Sequence, residues 1–199
     1  MSFKLFKKLI ISFLILACFT SISKAKDPLE FIQSITDEAS KILTKKIDKS
    51  DKANQLIVLA EQNVDIKGIG IYTLGKYRKT ITETQKDEYN ELFKAYFLKS
   101  FSSRLSEYSD PKINVISKNI LNEKYTMVSS ILVATDKRPE IKIDWRVYTK
   151  NPEKPLIRDL IIEGLSLART QKEEFASVLN SNDGDINALF KTLEEFSSK

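Results

Sequence analysis

Hydrophobic period changes twice along the chain, dividing it into helices, then sheet, then helices again. From Pro28, apolar residues recur at Leu29, Ile32, Ile35, Ala39, Ile42 and Leu43, the three- and four-residue steps of an amphipathic helix. The polar turn Asp48-Lys49-Ser50-Asp51 leads into a second short helix over about 52–62, and a third is expected over about 66–79 with Asp65 as its N-cap. Thr82-Glu83-Thr84-Gln85 has the form of a capping box and opens a long helix reaching about Tyr108. Its apolar positions are Tyr89, Leu92, Phe93, Tyr96, Phe97, Phe101, Leu105 and Tyr108, and six of these eight are aromatic. No other segment is patterned so strongly.

From Lys112 the period becomes two. Ile113 and Val115 begin one strand, and Tyr125, Met127, Ser129, Ile131 and Val133 alternate along a second. Ile141, Ile143, Trp145 and Val147 alternate with Lys142, Asp144, Arg146 and Tyr148 in a third, the clearest half-buried strand. The fourth, Leu156 to Ile162, is apolar on both faces at Leu160, Ile161 and Ile162, which predicts a covered position. Turns are marked by Asp136-Lys137-Arg138-Pro139 and Asn151-Pro152-Glu153-Lys154-Pro155, and the short connections imply antiparallel pairing. Two helices follow, over about 165–179 and 185–196. Helices gathered on one side of a curved antiparallel sheet of about four strands make an α+β fold.

The first 25 residues stand apart from this pattern. Lys4, Lys7 and Lys8 precede an apolar stretch from Leu9 to Phe19, and Ser23-Lys24-Ala25 has the small-x-small form of a cleavage site. This is the layout of a secretory signal peptide, and its apolar run of about 11 residues is short of the roughly 20 a membrane span needs. Ile15-Leu16-Ala17-Cys18 also admits a lipobox reading with Cys18 lipidated, although Leu16 is bulky for that motif. The preferred division is a signal peptide over 1–25 and one domain over 26–199.

The leader changes the meaning of the charge. The chain has 32 Lys and Arg against 27 Asp and Glu, a formal +5. Four of the lysines lie in residues 1–25, so the mature chain has 28 basic against 27 acidic groups and a formal +1. An electrostatic case for nucleic-acid binding loses its support, since no lysine cluster is dense enough to clamp phosphates.

Composition removes most catalytic chemistry. With no His there is no Ser-His-Asp machinery and no imidazole metal ligand; one Cys excludes an internal disulfide or a thiolate cluster. Five glycines leave no Gly-rich phosphate cradle. Asp144, Asp159 and Glu163 lie on or beside strands and invite a paired-carboxylate reading, but acids alternating with apolar residues usually mark a solvated sheet face. Ser166 is read as a helix N-cap or first-turn residue, because its surroundings are no nucleophile elbow. Large aromatics facing strand residues suit either a plain core or an apolar ligand pocket, and spacing alone does not separate the two.

Three stretches in order carry a family resemblance: Leu74-Gly75-Lys76-Tyr77-Arg78-Lys79-Thr80 before the aromatic helix, Ile141-Lys142-Ile143-Asp144-Trp145-Arg146, and Asp159-Leu160-Ile161-Ile162-Glu163-Gly164-Leu165-Ser166-Leu167. Together with Thr170-Gln171-Lys172-Glu173-Glu174-Phe175 they resemble the MlaC family of periplasmic phospholipid-binding proteins, also called toluene-tolerance proteins, from about Pro28 to Phe196. Pro155 stands where many members carry Trp, and Arg158 replaces a family Tyr, both at a strand entrance.

The resemblance implies a non-enzymatic carrier with an NTF2-like or MlaC-like fold. It implies no cofactor, bound phospholipid as cargo, and action as a monomer in the periplasm. Its partners would be an outer-membrane lipoprotein–porin complex and an inner-membrane ABC transporter with an MCE-domain subunit. Two tails of about 16 carbons, at roughly 0.8 kcal/mol per CH₂, would cost on the order of 25 kcal/mol to expose. Such a carrier must enclose the tails, while the headgroup can stay in solvent with weak discrimination. The expected pocket lies between the aromatic helix and the sheet. Leu74, Tyr77, Phe93, Phe97 and Phe101 would line it from the helices, and Met127, Ile131, Ile143, Trp145, Leu160 and Ile162 from the strands. The competing reading is a non-catalytic periplasmic adaptor whose cavity is filled by its own side chains.

Overall fold

Capping chemistry sets where the helices begin. The computed structural model describes residues 25–136 and 138–198; the expected leader, with Cys18, lies outside the described residues. Helix α1 (Pro28–Thr44) starts where the Asp27 carboxylate accepts the Leu29 N–H at 2.8 Å, with Pro28 at its first position. Helix α2 spans Lys49–Asn63, and α3 (Ile66–Thr73) begins where Asp65 accepts the Gly68 N–H at 2.9 Å. The expected third helix therefore stops short of Lys79. Gly75, at φ +57°, turns the chain into a 3₁₀ segment over Gly75–Lys79. The Thr82–Gln85 capping box opens α4 (Glu83–Leu105), which ends one turn before Tyr108. Helices α5 (Leu167–Asn180) and α6 (Ile186–Ser198) close the chain.

Between α4 and α5 lies an open, wholly antiparallel sheet in the order β1-β2-β3-β4-β5. Its strands are β1 (Ile113–Asn122), β2 (Tyr125–Leu132), β3 (Ile141–Tyr148), β4 (Leu156–Ile162) and β5 (Leu165–Ser166). The fifth strand, absent from the sequence expectation, is two residues long and exists because Glu163 (φ +49°) and Gly164 (φ +83°) make a two-residue hairpin turn. The Glu163 carboxylate accepts the Lys142 N–H and ties that turn to the start of β3.

Apolar residues divide into three clusters. Phe31 and Ile32 of α1 pack on Val128, Trp145, Val147 and Ile157, covering one face of the sheet. A second cluster is wholly helical and gathers Tyr89, Phe93 and Leu98 of α4 with Ile69, Phe175, Leu179, Leu189, Phe190 and Leu193. The third joins α1, α2 and the end of α4 through Ile42, Leu43, Leu56, Leu59 and Phe101. The aromatic stripe of α4 thus finds its partners on other helices: Phe93 meets Phe175 edge-on at 6.2 Å, and Tyr96 lies 4.7 Å from the Phe196 ring. Helix α1, which is less aromatic, takes the place on the sheet expected for α4.

Close approach in the helical cluster depends on Gly70 of α3. A Cβ there would sit 2.8 Å from the Phe93 ring, which is itself hemmed in by Tyr89, Phe97 and Phe175. Gly70→Ala is expected to lower unfolding free energy by about 1–3 kcal/mol through overpacking, measured by urea denaturation. Tyr89 is fully buried, and its hydroxyl shares a 2.8 Å hydrogen bond with Thr73. Burial pushes its phenol pKa well above the ordinary value of 10, and the Thr73 bond opposes this only in part. The folded pKa therefore exceeds the unfolded one, so Tyr89 contributes full stability below pH 10 and loses it as pH rises further. Wild-type stability should fall more steeply above about pH 10 than that of Tyr89→Phe, as thermal melts at a series of pH values will show.

Candidate functional site: a cleft on the sheet face opposite α1

Strand β4 carries an irregularity that builds the site. Arg146 pairs with Asp159 and Val147 with Ile157, so Arg158 is an extra, bulged residue. The bulge sends Arg158 onto the sheet face away from α1, where its guanidinium lies 3.9 Å from the Tyr148 ring centroid. Arg158 also donates to the Tyr125 hydroxyl at 2.8 Å and to the Asp65 carboxylate at 2.6 Å, tying the start of α3 to β2 and β4. Burial works against its charged form, but the bonds to Tyr125 and Asp65 outweigh it and hold its pKa above the usual arginine value.

Asp159 faces the same side and is only 4% exposed. Its carboxylate accepts from the Ser166 hydroxyl at 2.6 Å, the Ala168 N–H at 3.0 Å and the Arg146 guanidinium at 3.3 Å. Ser166 in turn caps α5 by accepting the Arg169 N–H at 3.1 Å. The spacing Asp159-x-x-x-Glu163-Gly164-x-Ser166 is therefore a folding device. Glu163 and Gly164 make the turn, and Asp159 with Ser166 pins the N-terminus of α5 to β4. Asp159 has no exposed oxygen face from which to act on a substrate, and Asp144 is engaged by Ser129 at 2.6 Å and Lys142 at 3.2 Å. Among the described residues, no group of three or more His, Cys, Asp or Glu could hold a metal ion.

These side chains bound a cleft of about 420 Å³, within the range of roughly 300–1,000 Å³ usual for small-molecule pockets. Gly68, Ile69 and Tyr72 of α3 form one wall, and Leu121, Asn122 and Tyr125 of the β1–β2 hairpin another. Arg146, Arg158 and Asp159 of β3 and β4 lie between them, with Ala168 of α5. A second groove of about 720 Å³ along α1 and α2 is lined mostly by polar side chains such as Asp37, Glu38, Lys41 and Gln62, and offers little to an apolar ligand.

None of the eleven residues expected to line a pocket borders this cleft, because the structure distributes them over three places. Leu74, Tyr77, Phe93, Phe97 and Phe101 belong to the helical cluster. Trp145, Ile143 and Leu160 pack in the α1 cluster, and Ile162 shares their face through its pairing with Ile143. Only Met127 and Ile131 lie on the cleft's side of the sheet, half-buried and alternating along β2 with Tyr125. The expected juxtaposition of aromatic helix and sheet does not form, because α1 covers the face that Ile143 and Trp145 present. Arg146, Arg158 and Asp159 were visible as charged residues in apolar strands, but the bulge that aims Arg158 has no signature in residue spacing.

Comparison with known proteins places the chain. Residues 32–195 match the family described as MlaC protein. The chain belongs to the MlaC family. A solved structure of a phospholipid-binding protein from Ralstonia solanacearum, in complex with a phospholipid, superposes with a TM-score of 0.73. The two are 20% identical, and the match covers 87% of this chain and 98% of the other. The open antiparallel sheet with its helices is thus the fold of that MlaC-family neighbour.

Asp159 makes a direct prediction. Asp159→Asn keeps the shape but turns acceptors toward donors at Ser166 and Ala168, and should cost on the order of 2 kcal/mol in urea denaturation. Glu163→Gln at the exposed turn should cost much less.

Proposed function

We propose that this MlaC-family protein is a periplasmic phospholipid carrier that moves lipid between an outer-membrane lipoprotein–porin complex and an inner-membrane ABC transporter with an MCE-domain subunit. It would leave the cytoplasm on a cleavable signal peptide over residues 1–25 and act as a monomer without catalytic chemistry. Maintenance of outer-membrane lipid asymmetry would be its role. The observation that carries this reading is the cleft between α3, α5 and the sheet face opposite α1, in a chain whose family match spans nearly all of its described length. The phospholipid held by the Ralstonia protein of the same fold supports it.

The cleft narrows how a lipid would load. A two-tailed lipid would reach past the cleft along Met127 and Ile131, which lie on the same face of β2. Ile69 at the wall supplies apolar contact and Met127 lies next along the same sheet face, while Tyr72 and Leu121, 39% and 44% exposed, form an apolar rim at which a tail enters.

Protein purified from a phospholipid-containing host should carry lipid detectable by native mass spectrometry and should extract labelled phospholipid from vesicles. A charge placed on the cleft side of the sheet, Met127→Glu, should abolish loading with little change in melting temperature. Ile143→Glu, on the α1 side, should unfold the protein or leave loading intact. Loss of loading in a folded Ile143→Glu alone would move the lipid to the other face, and a wild-type protein that neither carries nor extracts lipid would return the chain to the adaptor reading.

A further inference from the structure

The charges that line the cleft do not balance. Its walls carry two arginines, Arg146 and Arg158, and one carboxylate, Asp159; the carboxylate of Asp65 lies behind Arg158. Both acids are also spent on helix N-termini. Asp65 accepts from Gly68 at the start of α3, and Asp159 accepts from Ala168 at the start of α5. Each helix start carries positive partial charge that offsets part of the carboxylate, so the two formally neutral ion pairs, Arg146–Asp159 and Arg158–Asp65, leave a small positive balance at the cleft.

The two arginines are committed to different degrees. Arg158 uses three nitrogens on Asp65 and Tyr125 and is stacked on Tyr148, so it is held in place. Arg146 has five N–H donors, and among the described residues its guanidinium makes one contact, with Asp159 at 3.3 Å. That is longer than the ~2.7–2.9 Å of a firm charge-assisted bond. Its side chain is 37% exposed and opens on the cleft. A guanidinium with free paired donors, beside a second fixed cation and the neutral Asn122, has the chemistry to grip a phosphate ester in the bidentate manner of arginine.

We propose that Arg146, with Arg158 behind it, holds the phosphate ester of an anionic lipid headgroup at the cleft, so that this carrier prefers net-anionic phospholipids over zwitterionic ones. The inference rests on the carrier reading and departs from the weak headgroup discrimination expected from tail burial alone. A zwitterionic headgroup brings its own cation beside the same small positive balance and loses part of the attraction.

The test uses protein produced from the full-length chain and equimolar vesicles of phosphatidylglycerol and phosphatidylcholine, with bound lipid counted by native mass spectrometry. The wild type should take phosphatidylglycerol about tenfold over phosphatidylcholine, the attraction that the choline cation forfeits in the cleft. Arg146→Gln should bring the ratio near one; Arg146→Lys, which keeps the charge without the fork, should retain part of the preference. Melting temperatures of both variants identify any loss of fold, and Arg158→Tyr should lower the ratio independently. Equal uptake of the two lipids by the wild type overturns the headgroup preference and leaves the carrier intact. Uptake of neither lipid overturns the carrier itself. Inorganic phosphate at millimolar concentration distinguishes the remaining source: stabilisation that depends on Arg146 without any lipid preference assigns the grip to free phosphate and overturns the headgroup assignment.

Discussion

Asp159 is the point at which helices and sheet become one structure. Its carboxylate joins β4 to the start of α5 through Ser166 and Ala168, and to β3 through Arg146. A carboxylate that is 4% exposed would be costly to bury alone. With two protein donors, a guanidinium and the N-terminus of a helix around it, it becomes an anchor instead. Helix α5 then carries Phe175 and Leu179 into the helical cluster, so this contact helps to set where that cluster lies relative to the sheet. The cleft exists because α5 is pinned at its start, while α3 is tied separately through Asp65 and Arg158.

This arrangement leaves one sheet face outside the contacts that hold the fold. One sheet face is committed to α1, where Trp145 donates to Ser130 at 2.8 Å inside an apolar cluster. The aromatic residues of α4 are committed to other helices. What remains for a ligand is the opposite sheet face, half-buried and mixed in polarity. That face includes apolar positions such as Met127 and Ile131 and the charged positions Asp144, Arg146 and Asp159. Under the proposed carrier function, contacts that hold the fold apart from that face would suit loading and release.

Much of this was readable in the chain. The capping box at Thr82–Gln85, the caps at Asp65 and Ser166, and the period-two strands all appear where local chemistry places them, because a cap or an alternating strand is decided within a few residues. The family resemblance, read from three short motifs, agrees with the match over residues 32–195. The pocket residues were chosen by stripe and alternation, and here reasoning of the same kind reached its limit. A stripe of apolar residues states that a face is buried, and leaves open which of several neighbours buries it.

By itself, then, the sequence determined most of the elements, their order, the α+β class and the family, and removed imidazole chemistry through its lack of His and a disulfide or thiolate cluster through its single Cys. Tertiary structure decided which helix covers which face of the sheet, and so moved the cleft from the side of Trp145 to the side of Arg146. The physical reason is range. Hydrogen-bonded caps and strand periods are local, whereas the bulge at Arg158 and the Asp159–Ala168 bond depend on strands and helices meeting in space. One extra residue in β4 turns a side chain toward the cleft, and no periodicity in the chain announces it.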